Sequence, residues 1–136
     1  MPEQPALARM NGQIEFFIEE RQDDHVTSRM PVTAAMLNPA GIVHAGAMIW
    51  LADVTATVLA RGAFESGADG KGFPLAVDLH AALLRNTRSG QIVAEARFVR
   101  RGRRVSVVRT RVTGDDGKLL VEITTTHIPA EQRSVS

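Results

Sequence analysis

The chain has 136 residues, of which 44% are hydrophobic and 23% charged, a composition typical of one globular domain and not of a disordered chain. Its 16 basic and 15 acidic residues give a formal net charge of +1, so no overall field favours binding to nucleic acid or to an anionic membrane. Because the sequence has no cysteine, disulfides, thiolate nucleophiles and thiolate metal sites are excluded.

The first residues of the sequence have no basic stretch followed by an apolar one, so residues 1–5 do not predict a signal peptide. Together with the lack of cysteine, this favours a cytoplasmic location. We expect one domain over residues 1–136, with residues 1–12 and 131–136 frayed at its ends.

Between residues 13 and 31, two groups of apolar and β-branched residues flank Gln22-Asp23-Asp24 and predict two strands joined by a turn. Residues 37–41 then predict a loop, since Pro39 fixes its own φ and Gly41 permits a positive φ. A helix is expected to begin shortly after this loop.

The run from residue 45 to residue 63 predicts one long helix, because it is rich in Ala, Leu and Met, lacks proline and ends near Gly62. Its apolar residues lie on nearly every side, which indicates a helix buried on more than one face. In a domain of this size, only a strongly curved sheet could cover a helix in that way. Asp53 and two threonines make the run too polar for a membrane span.

After a glycine-rich loop, the rest of the chain alternates apolar and polar residues and predicts strands at residues 75–84, 91–100, 103–113 and 118–128. Turn-like separators lie at residues 86–90, 101–102 and 114–117. Connections this short predict a meander of antiparallel neighbours. The predicted fold class is therefore α+β, with a curved antiparallel sheet wrapped around the helix.

Asp53 is the most informative residue of the sequence. It lies in the middle of the predicted helix among apolar neighbours, where a carboxylate must be paired, hydrogen-bonded or open to a cleft. Small residues and Thr57 follow one turn later on the same side and leave space beside it. This pattern predicts a pocket with a catalytic carboxylate. A structural carboxylate, bonded to a neighbouring hydroxyl or to a partner subunit, is the simpler alternative.

The tripeptide His44-Ala45-Gly46 lies at the expected start of the helix, where free N–H groups and the helix dipole favour negative charge. Such a position can act as an oxyanion hole. A helix cap is the alternative for His44, and closure of a turn with Pro39 is the alternative for Asn38.

Taken together, these residues form a longer motif. The stretch from Asn38 to Gly46, followed by Leu51-Ala52-Asp53, resembles the N-x-x-G-x-x-H-G-G…D signature of hot-dog thioesterases related to the phenylacetate-degradation thioesterase. The spacings match throughout. Similarity continues in Val77-Asp78-Leu79, in residues 90–96 and in residues 116–121, so that it covers nearly the whole chain.

The resemblance implies a hot-dog fold and hydrolysis of an acyl-CoA or another acyl thioester to the free acid and thiol. It implies Asp53 as the nucleophile or the general base, the Ala45 N–H as the oxyanion donor, and Asn38 as a group that positions water or the carbonyl. The supporting residues would be His44, Gly46 and Thr57. Where this chain has Ala45, the family usually has glycine, and the added methyl group alters how closely a substrate can approach.

The resemblance also implies active sites shared between the subunits of a homodimer, and beyond that a dimer of dimers. No cofactor is implied, and the four histidines show no spacing suited to a metal.

The only dense basic cluster is Arg100-Arg101-Gly102-Arg103-Arg104. A solvated hairpin turn explains it simply. The functional alternative is contact of Arg101, Arg103 and Arg104 with the phosphates of coenzyme A, which suit the planar guanidinium group.

Two other functions remain open from the sequence: a hot-dog dehydratase or hydratase of acyl thioesters, and a non-catalytic acyl-CoA-binding protein. The first would place a histidine and a carboxylate differently around the helix, and the second usually carries a separate DNA-binding segment. The sequence names neither the acyl group nor the thiol carrier, which could be coenzyme A or an acyl-carrier protein.

Overall fold

Six strands, one long helix and two short 3₁₀ turns make up the computed structural model, which describes residues 12–67 and 69–131. The strands are β1 (Phe17–Arg21), β2 (His25–Pro31), β3 (Pro74–Leu83), β4 (Gln91–Arg100), β5 (Ser106–Thr113) and β6 (Leu119–Pro129). The helix α1 is Ala45–Ala60, and the 3₁₀ turns are Ala34–Met36 and Arg61–Ala63. The frayed ends expected from the sequence lie, except for Gly12 and Glu131, outside the described residues.

The strands form a single antiparallel sheet in the order β1-β2-β4-β5-β6-β3, and α1 packs across the face formed by the five strands β2 to β6. The predicted α+β class, with one long helix against an antiparallel sheet, is confirmed. The turn at residues 22–24 joins β1 to β2 as predicted. In the described part of the chain, no helix is both long and apolar enough to cross a membrane.

The predicted meander is wrong at β3. This strand pairs with β6 at the edge of the sheet, while β4 pairs with β2 and β5. The connection from Leu84 to Gly90 first follows β6, where the N–H groups of Leu84 and Arg85 both donate to the Leu120 carbonyl. Seven extended residues reach up to about 23 Å, which exceeds the roughly 14 Å across three strand spacings. The connection is therefore long enough to cross two strands.

The strand β5 begins three residues later than predicted, because residues 101–105 form a loop. Ser106 closes this loop, since its Oγ accepts from the Gly102 N–H at 3.1 Å and donates to the Gly102 carbonyl at 3.0 Å. A Cβ at Gly102 would lie 2.3 Å from the Val105 carbonyl oxygen. The two arginines Arg103 and Arg104 thus lie in an exposed loop and not in a strand.

The sheet buries one side of α1. Its buried residues are Ala47, Met48, Leu51, Ala52, Thr55, Ala56, Leu59 and Ala60. Four further apolar residues of the helix, Ile49, Trp50, Val54 and Val58, are only half-buried or exposed, and of these Ile49 and Val58 still pack against the core. Within a single chain, the helix is therefore buried on one face, and not on more than one as predicted.

Candidate active site

Asn38 shapes the loop that leads into α1. Its Oδ1 accepts hydrogen bonds from the backbone N–H groups of Ala40 at 2.9 Å and Ile42 at 3.2 Å. The Gly41 N–H donates to the Asn38 carbonyl at 2.8 Å, and Gly41 has a φ of 77°, as its predicted role in the loop requires. Asn38 thus closes the turn with its carbonyl oxygens, and its side-chain NH₂ takes no part in these bonds.

The start of α1 leaves donors free for a ligand. His44 is the N-cap, and its N–H donates to the Met36 carbonyl at 2.9 Å, but its side chain makes no capping hydrogen bond. Ala45 and Gly46 form the first turn, where backbone N–H groups have no acceptor inside the helix. A Cβ added at Gly46 would meet nothing within 4 Å, so the space beside it is open. The helix dipole favours negative charge there.

Two hollows lie between α1 and β3, one on each side of Asp53. The N-terminal hollow, of about 490 Å³, is lined by Gly46, Ile49, Trp50, Asp53 and residues 76–79. The C-terminal hollow, of about 410 Å³, is lined by Asp53, Val54, Thr57, Val58, Arg61 and residues 73–76. Asp53 is half-buried, and with Ala76 it lines both hollows. The carboxylate is therefore open to two adjoining cavities.

The carboxylate of Asp53 has no cationic partner within residues 12–67 and 69–131, since no salt bridge there includes it. It shares the N-terminal hollow with Gly46 of the first helical turn. The carboxylate and Gly46 of the first helical turn therefore border the same cavity. A carboxylate and free N–H groups are the two kinds of group that attack on a carbonyl requires, because the carbonyl oxygen gains negative charge.

Three of the six predicted catalytic residues line the two hollows beside α1. Asp53 and Gly46 border the N-terminal hollow, and Thr57 borders the C-terminal hollow beside Asp53. Ala45 is the residue before Gly46 in the same helical turn, and the exposed His44 precedes it. The arginine cluster lies elsewhere, at the opposite end of α1.

Arg101 fixes that cluster to the C-terminal end of α1. Its guanidinium group donates to the Gly62 carbonyl and, at 3.5 Å, to the Asp23 carbonyl, and it lies 5.4 Å from the centre of the Phe98 ring. Gly62 is nine residues beyond Asp53, or about 14 Å along a helix axis. Two N–H groups of Arg101 thus bond within the chain, and the side chains of Arg101, Arg103 and Arg104 are all exposed.

Sequence reasoning missed two residues of the hollows. Arg61 lines the C-terminal hollow, and its position four residues after Thr57 and eight after Asp53 gives a signal that could have been found. Trp50 lines the N-terminal hollow with 45% of its surface exposed, and Phe16 holds its ring in a T-shaped contact with centroids 4.7 Å apart. No signal pairs Trp50 with Phe16, because Trp50 lies on α1 and Phe16 precedes β1, far away in the sequence.

Comparisons with known proteins give the family of the chain. The model of the thioesterase superfamily matches residues 40–121. The thioesterase PA1618 of Pseudomonas aeruginosa is 31% identical over 100 residues, which are 74% of this chain and 67% of that protein. The solved structure of a single-residue mutant of PA1618 has a TM-score of 0.73 at 30% identity and covers 85% of this chain and 81% of its own.

Two further solved structures share the fold. A phenylacetic acid degradation-related protein of Ralstonia eutropha has a TM-score of 0.74 at 29% identity, over 83% of each chain. A thioesterase protein of Streptococcus pneumoniae, solved with coenzyme A, has a TM-score of 0.75 at 20% identity, over 88% of this chain and 89% of its own. The chain therefore belongs to the thioesterase superfamily, as a hot-dog thioesterase similar to the phenylacetate-degradation type.

Proposed function

We propose that this thioesterase hydrolyses an acyl-CoA, with Asp53 as the nucleophile or general base and the Ala45 N–H as the oxyanion donor. The observation that carries the proposal is the N-terminal hollow, where an unpaired carboxylate and the first turn of α1 border one cavity. Because Ala45 and Asp53 of one chain are eight residues apart, about 12 Å along the helix axis, a carbonyl that contacts both groups would take Asp53 from one subunit and the N–H donors from the other.

Both forms of the reaction use the same groups. As a base, Asp53 takes a proton from water while the water oxygen attacks the carbonyl carbon. As a nucleophile, its carboxylate attacks directly, and water then hydrolyses the acyl-enzyme anhydride. In each case the carbonyl oxygen becomes an oxyanion that the N–H groups of the first helical turn stabilise. The departing thiolate is stable, since an ordinary thiol has a pKa of about 8.5.

Asn38, His44, Gly46 and Thr57 support these steps in the proposal. Because the Asn38 carbonyl oxygens hold the turn, its side-chain NH₂ is the part that can donate to water or to the thioester carbonyl. Gly46 keeps the space beside the oxyanion site open, and Thr57 borders the C-terminal hollow next to the Asp53 carboxylate. His44 fixes the start of α1 through its backbone N–H.

Coenzyme A is the proposed thiol carrier. The hot-dog thioesterase protein of Streptococcus pneumoniae was solved with coenzyme A, and this chain offers the exposed Arg103 and Arg104 for phosphate contact. Arg101 supports the loop that presents them. The proposal includes a cytoplasmic location, which the lack of cysteine favours.

The proposal includes a homodimer whose two subunits complete each active site. The edge strand β3 is unpaired on its outer side, and Leu75, Val77 and Leu79 on it are 41–54% exposed. The half-buried apolar side of α1 and both hollows border this same strand. A second copy placed against β3 would cover the exposed apolar side chains and close the hollows. Pairing of two such dimers would give the tetramer.

Replacement of Asp53 by asparagine tests the catalytic assignment. Asp53→Asn is nearly isosteric, and we expect it to keep the fold and to lower kcat for acyl-CoA by roughly 10²-fold or more, measured as release of free thiol. Asp78→Asn is the matched control, because Asp78 lines the same hollow and the change removes the same charge. Equal losses in the two variants would mean that Asp53 is not the specific reacting group.

Co-assembly tests the shared site. Chains with Asp53→Asn and chains with Asn38→Ala, each weakly active alone, should regain activity when unfolded and refolded together, since some mixed interfaces carry a complete set of groups. A fully active monomer in sedimentation would contradict the proposal.

A further inference from the structure

Arg61 is a cation beside the active site that the proposed mechanism leaves unused. It follows the last residue of α1 and lines the C-terminal hollow, which Asp53 also lines. No other cationic residue of the described chain lines either hollow. Within residues 12–67 and 69–131, no salt bridge includes Arg61. Its charge is therefore not neutralised by an ion pair with a described residue.

The C-terminal hollow has a charge near each end and apolar walls between them. Asp53, Thr57 and Arg61 follow each other at intervals of four residues, so they lie along one side of the helix, and all three line the hollow. The rest of the lining is apolar and consists of Val54, Val58 and residues 73–76. A ligand in this hollow would thus meet the carboxylate first, then apolar side chains, and the guanidinium group last.

The distance between the two charges sets the length of a ligand that contacts both. Asp53 and Arg61 are eight residues apart, which is about 12 Å along the helix axis. A carbonyl carbon under attack lies roughly 3 Å from the attacking oxygen, and a guanidinium N–H group bonds a carboxylate at about 2.8 Å. The remaining span of roughly 6 Å fits an extended chain of about five bonds. An acyl group of about six carbons that ends in a carboxylate has this length.

The N-terminal hollow differs from the C-terminal one in charge. A second carboxylate, that of Asp78, lines it, and no cationic residue of the described chain does. An anionic group there would meet two negative charges, whereas in the C-terminal hollow Arg61 offsets the charge of Asp53. An anionic end of the substrate is therefore favoured in the C-terminal hollow.

The helix end offers a simpler explanation for Arg61, because a cation near the last carbonyl groups interacts favourably with the helix dipole. At this end of α1, Arg101 already donates to the Gly62 carbonyl. The backbone of Arg61 is still helical, and a helical side chain leans toward the preceding turn. Arg61 thus extends toward Thr57 and away from the last carbonyl groups, which agrees with its place in the lining of the hollow.

We propose that Arg61 is a specificity-determining residue that selects acyl thioesters with a carboxylate at the far end of a short acyl chain. This inference rests on the proposed function, in which Asp53 and the N–H donors carry out the hydrolysis. Arg61 binds the terminal carboxylate, and the products are a dicarboxylate and the free thiol. Arginine suits this role, because its planar guanidinium group binds a carboxylate through two parallel hydrogen bonds. A second copy that closes the hollow would keep water from this pair and strengthen it.

The phosphates of coenzyme A are the other anions with the right chemistry for Arg61. The long pantetheine arm separates them from the thioester group, whereas Arg61 and Asp53 line one hollow. The short span therefore favours the carboxylate of the acyl group. Thioesters of N-acetylcysteamine, which have no nucleotide, separate the two sources in the experiment.

Thiol release from four substrates by the dimeric enzyme tests the proposal. These are adipyl-CoA, hexanoyl-CoA, which has the same number of carbons but no charge on the acyl group, and the N-acetylcysteamine thioesters of the same two acids. Arg61→Met removes the charge and keeps an unbranched side chain. We expect it to lower kcat/KM for both adipyl thioesters by roughly 10- to 10²-fold, the range of a hydrogen bond between charged groups, and to leave both hexanoyl thioesters unchanged. Arg61→Lys, which keeps the charge without the planar fork, should retain part of the preference for adipyl.

Arg111→Met is the matched control for loss of a positive charge. Arg111 is exposed on β5, where the inward side chains alternate with outward ones, and it lines neither hollow. We expect wild-type kcat/KM for all four substrates in this variant.

Three outcomes would overturn the inference and leave the proposed function standing. In the first, the wild type hydrolyses hexanoyl thioesters and does not prefer adipyl ones. In the second, Arg61→Met changes the turnover of both acids equally or of neither. In the third, only the CoA thioesters respond to Arg61→Met, which would mean that Arg61 binds a phosphate. If Asp53→Asn is as active as the wild type, the proposed function itself fails.

Discussion

Thr55 and Ser28 join α1 to the sheet through a buried hydrogen bond whose removal should cost stability and not activity. The Thr55 Oγ1 donates to the Leu51 carbonyl at 2.6 Å, so its proton is used, and Ser28 on β2 donates to it at 2.7 Å. Both side chains are 0% exposed. Thr55→Val keeps the volume but leaves the Ser28 hydroxyl without an acceptor, which should lower the free energy of unfolding by roughly 1–3 kcal/mol.

The converse change should cost less. Ser28→Ala leaves Thr55 bonded to Leu51, so we expect a loss of about 1 kcal/mol. In the double variant no hydroxyl is stranded, and its loss should fall short of the sum of the single losses by roughly 0.5–3 kcal/mol.

Urea unfolding at one fixed protein concentration measures these differences, and thiol release measures kcat alongside. Thr55 lies two residues from Asp53, about 200° around the helix, so kcat should be unchanged. Strictly additive losses in the double variant, or an unchanged free energy of unfolding in Thr55→Val, would show that the hydrogen bond does not stabilise the contact between α1 and the sheet.

Three further predictions concern the loop, the buried histidine and the arginines. Asn38→Asp should keep the turn, because a carboxylate still accepts from the N–H groups of Ala40 and Ile42, and it should lower kcat because the NH₂ group is lost. Asn38→Ala should lower kcat and also the free energy of unfolding, the latter by about 1 kcal/mol. Urea denaturation measures the effect on stability, and thiol release measures the effect on kcat. Burial lowers the pKa of His127 in the folded state, so the unfolded chain gains the proton first as pH falls through 6.5. The folded state therefore loses stability in that range, and the urea midpoint should decrease. The decrease should be smaller in His127→Gln, which has no imidazole to protonate. Arg101→Ala should lower the unfolding free energy by about 1 kcal/mol, because its bond to the Gly62 carbonyl is lost. The double variant Arg103→Ala with Arg104→Ala should raise KM for acyl-CoA about tenfold at low salt. Turnover of short thioesters that lack the nucleotide should not change.

Local patterns were enough to predict most elements of the fold. Composition and the stop at Gly62 predicted α1, which ends at Ala60 and continues as a 3₁₀ turn to Ala63. Alternation predicted β3, β4 and β6 to within one residue at each end. These features depend on neighbours in the sequence, and turn residues such as Gly41 and Gly117 adopt the positive φ that their positions require.

Pairing between distant segments could not be predicted in the same way. A short connection usually joins neighbours, but the segment from Leu84 to Gly90 follows β6 and crosses to β4. The partner of Arg101 was equally hidden, because Gly62 lies 39 residues away and offers only a carbonyl group. In the sequence, His127 is one more inward position of a strand, and only the β3–β6 register shows that it pairs with Ala76, which lines both hollows.

The apolar character of α1 on nearly every side has two separate causes, and this explains why periodicity alone did not show which side of the helix borders the hollows. One side packs against the sheet through Leu51 and Ala56, as any buried helix would. The other side, with Trp50, Val54 and Val58, borders the hollows and remains partly open in the single chain. Periodicity cannot separate a core-facing side from a ligand- or partner-facing side when both are apolar. A charge can do so, because an unpaired carboxylate such as Asp53 is tolerated only where water or a substrate can reach it.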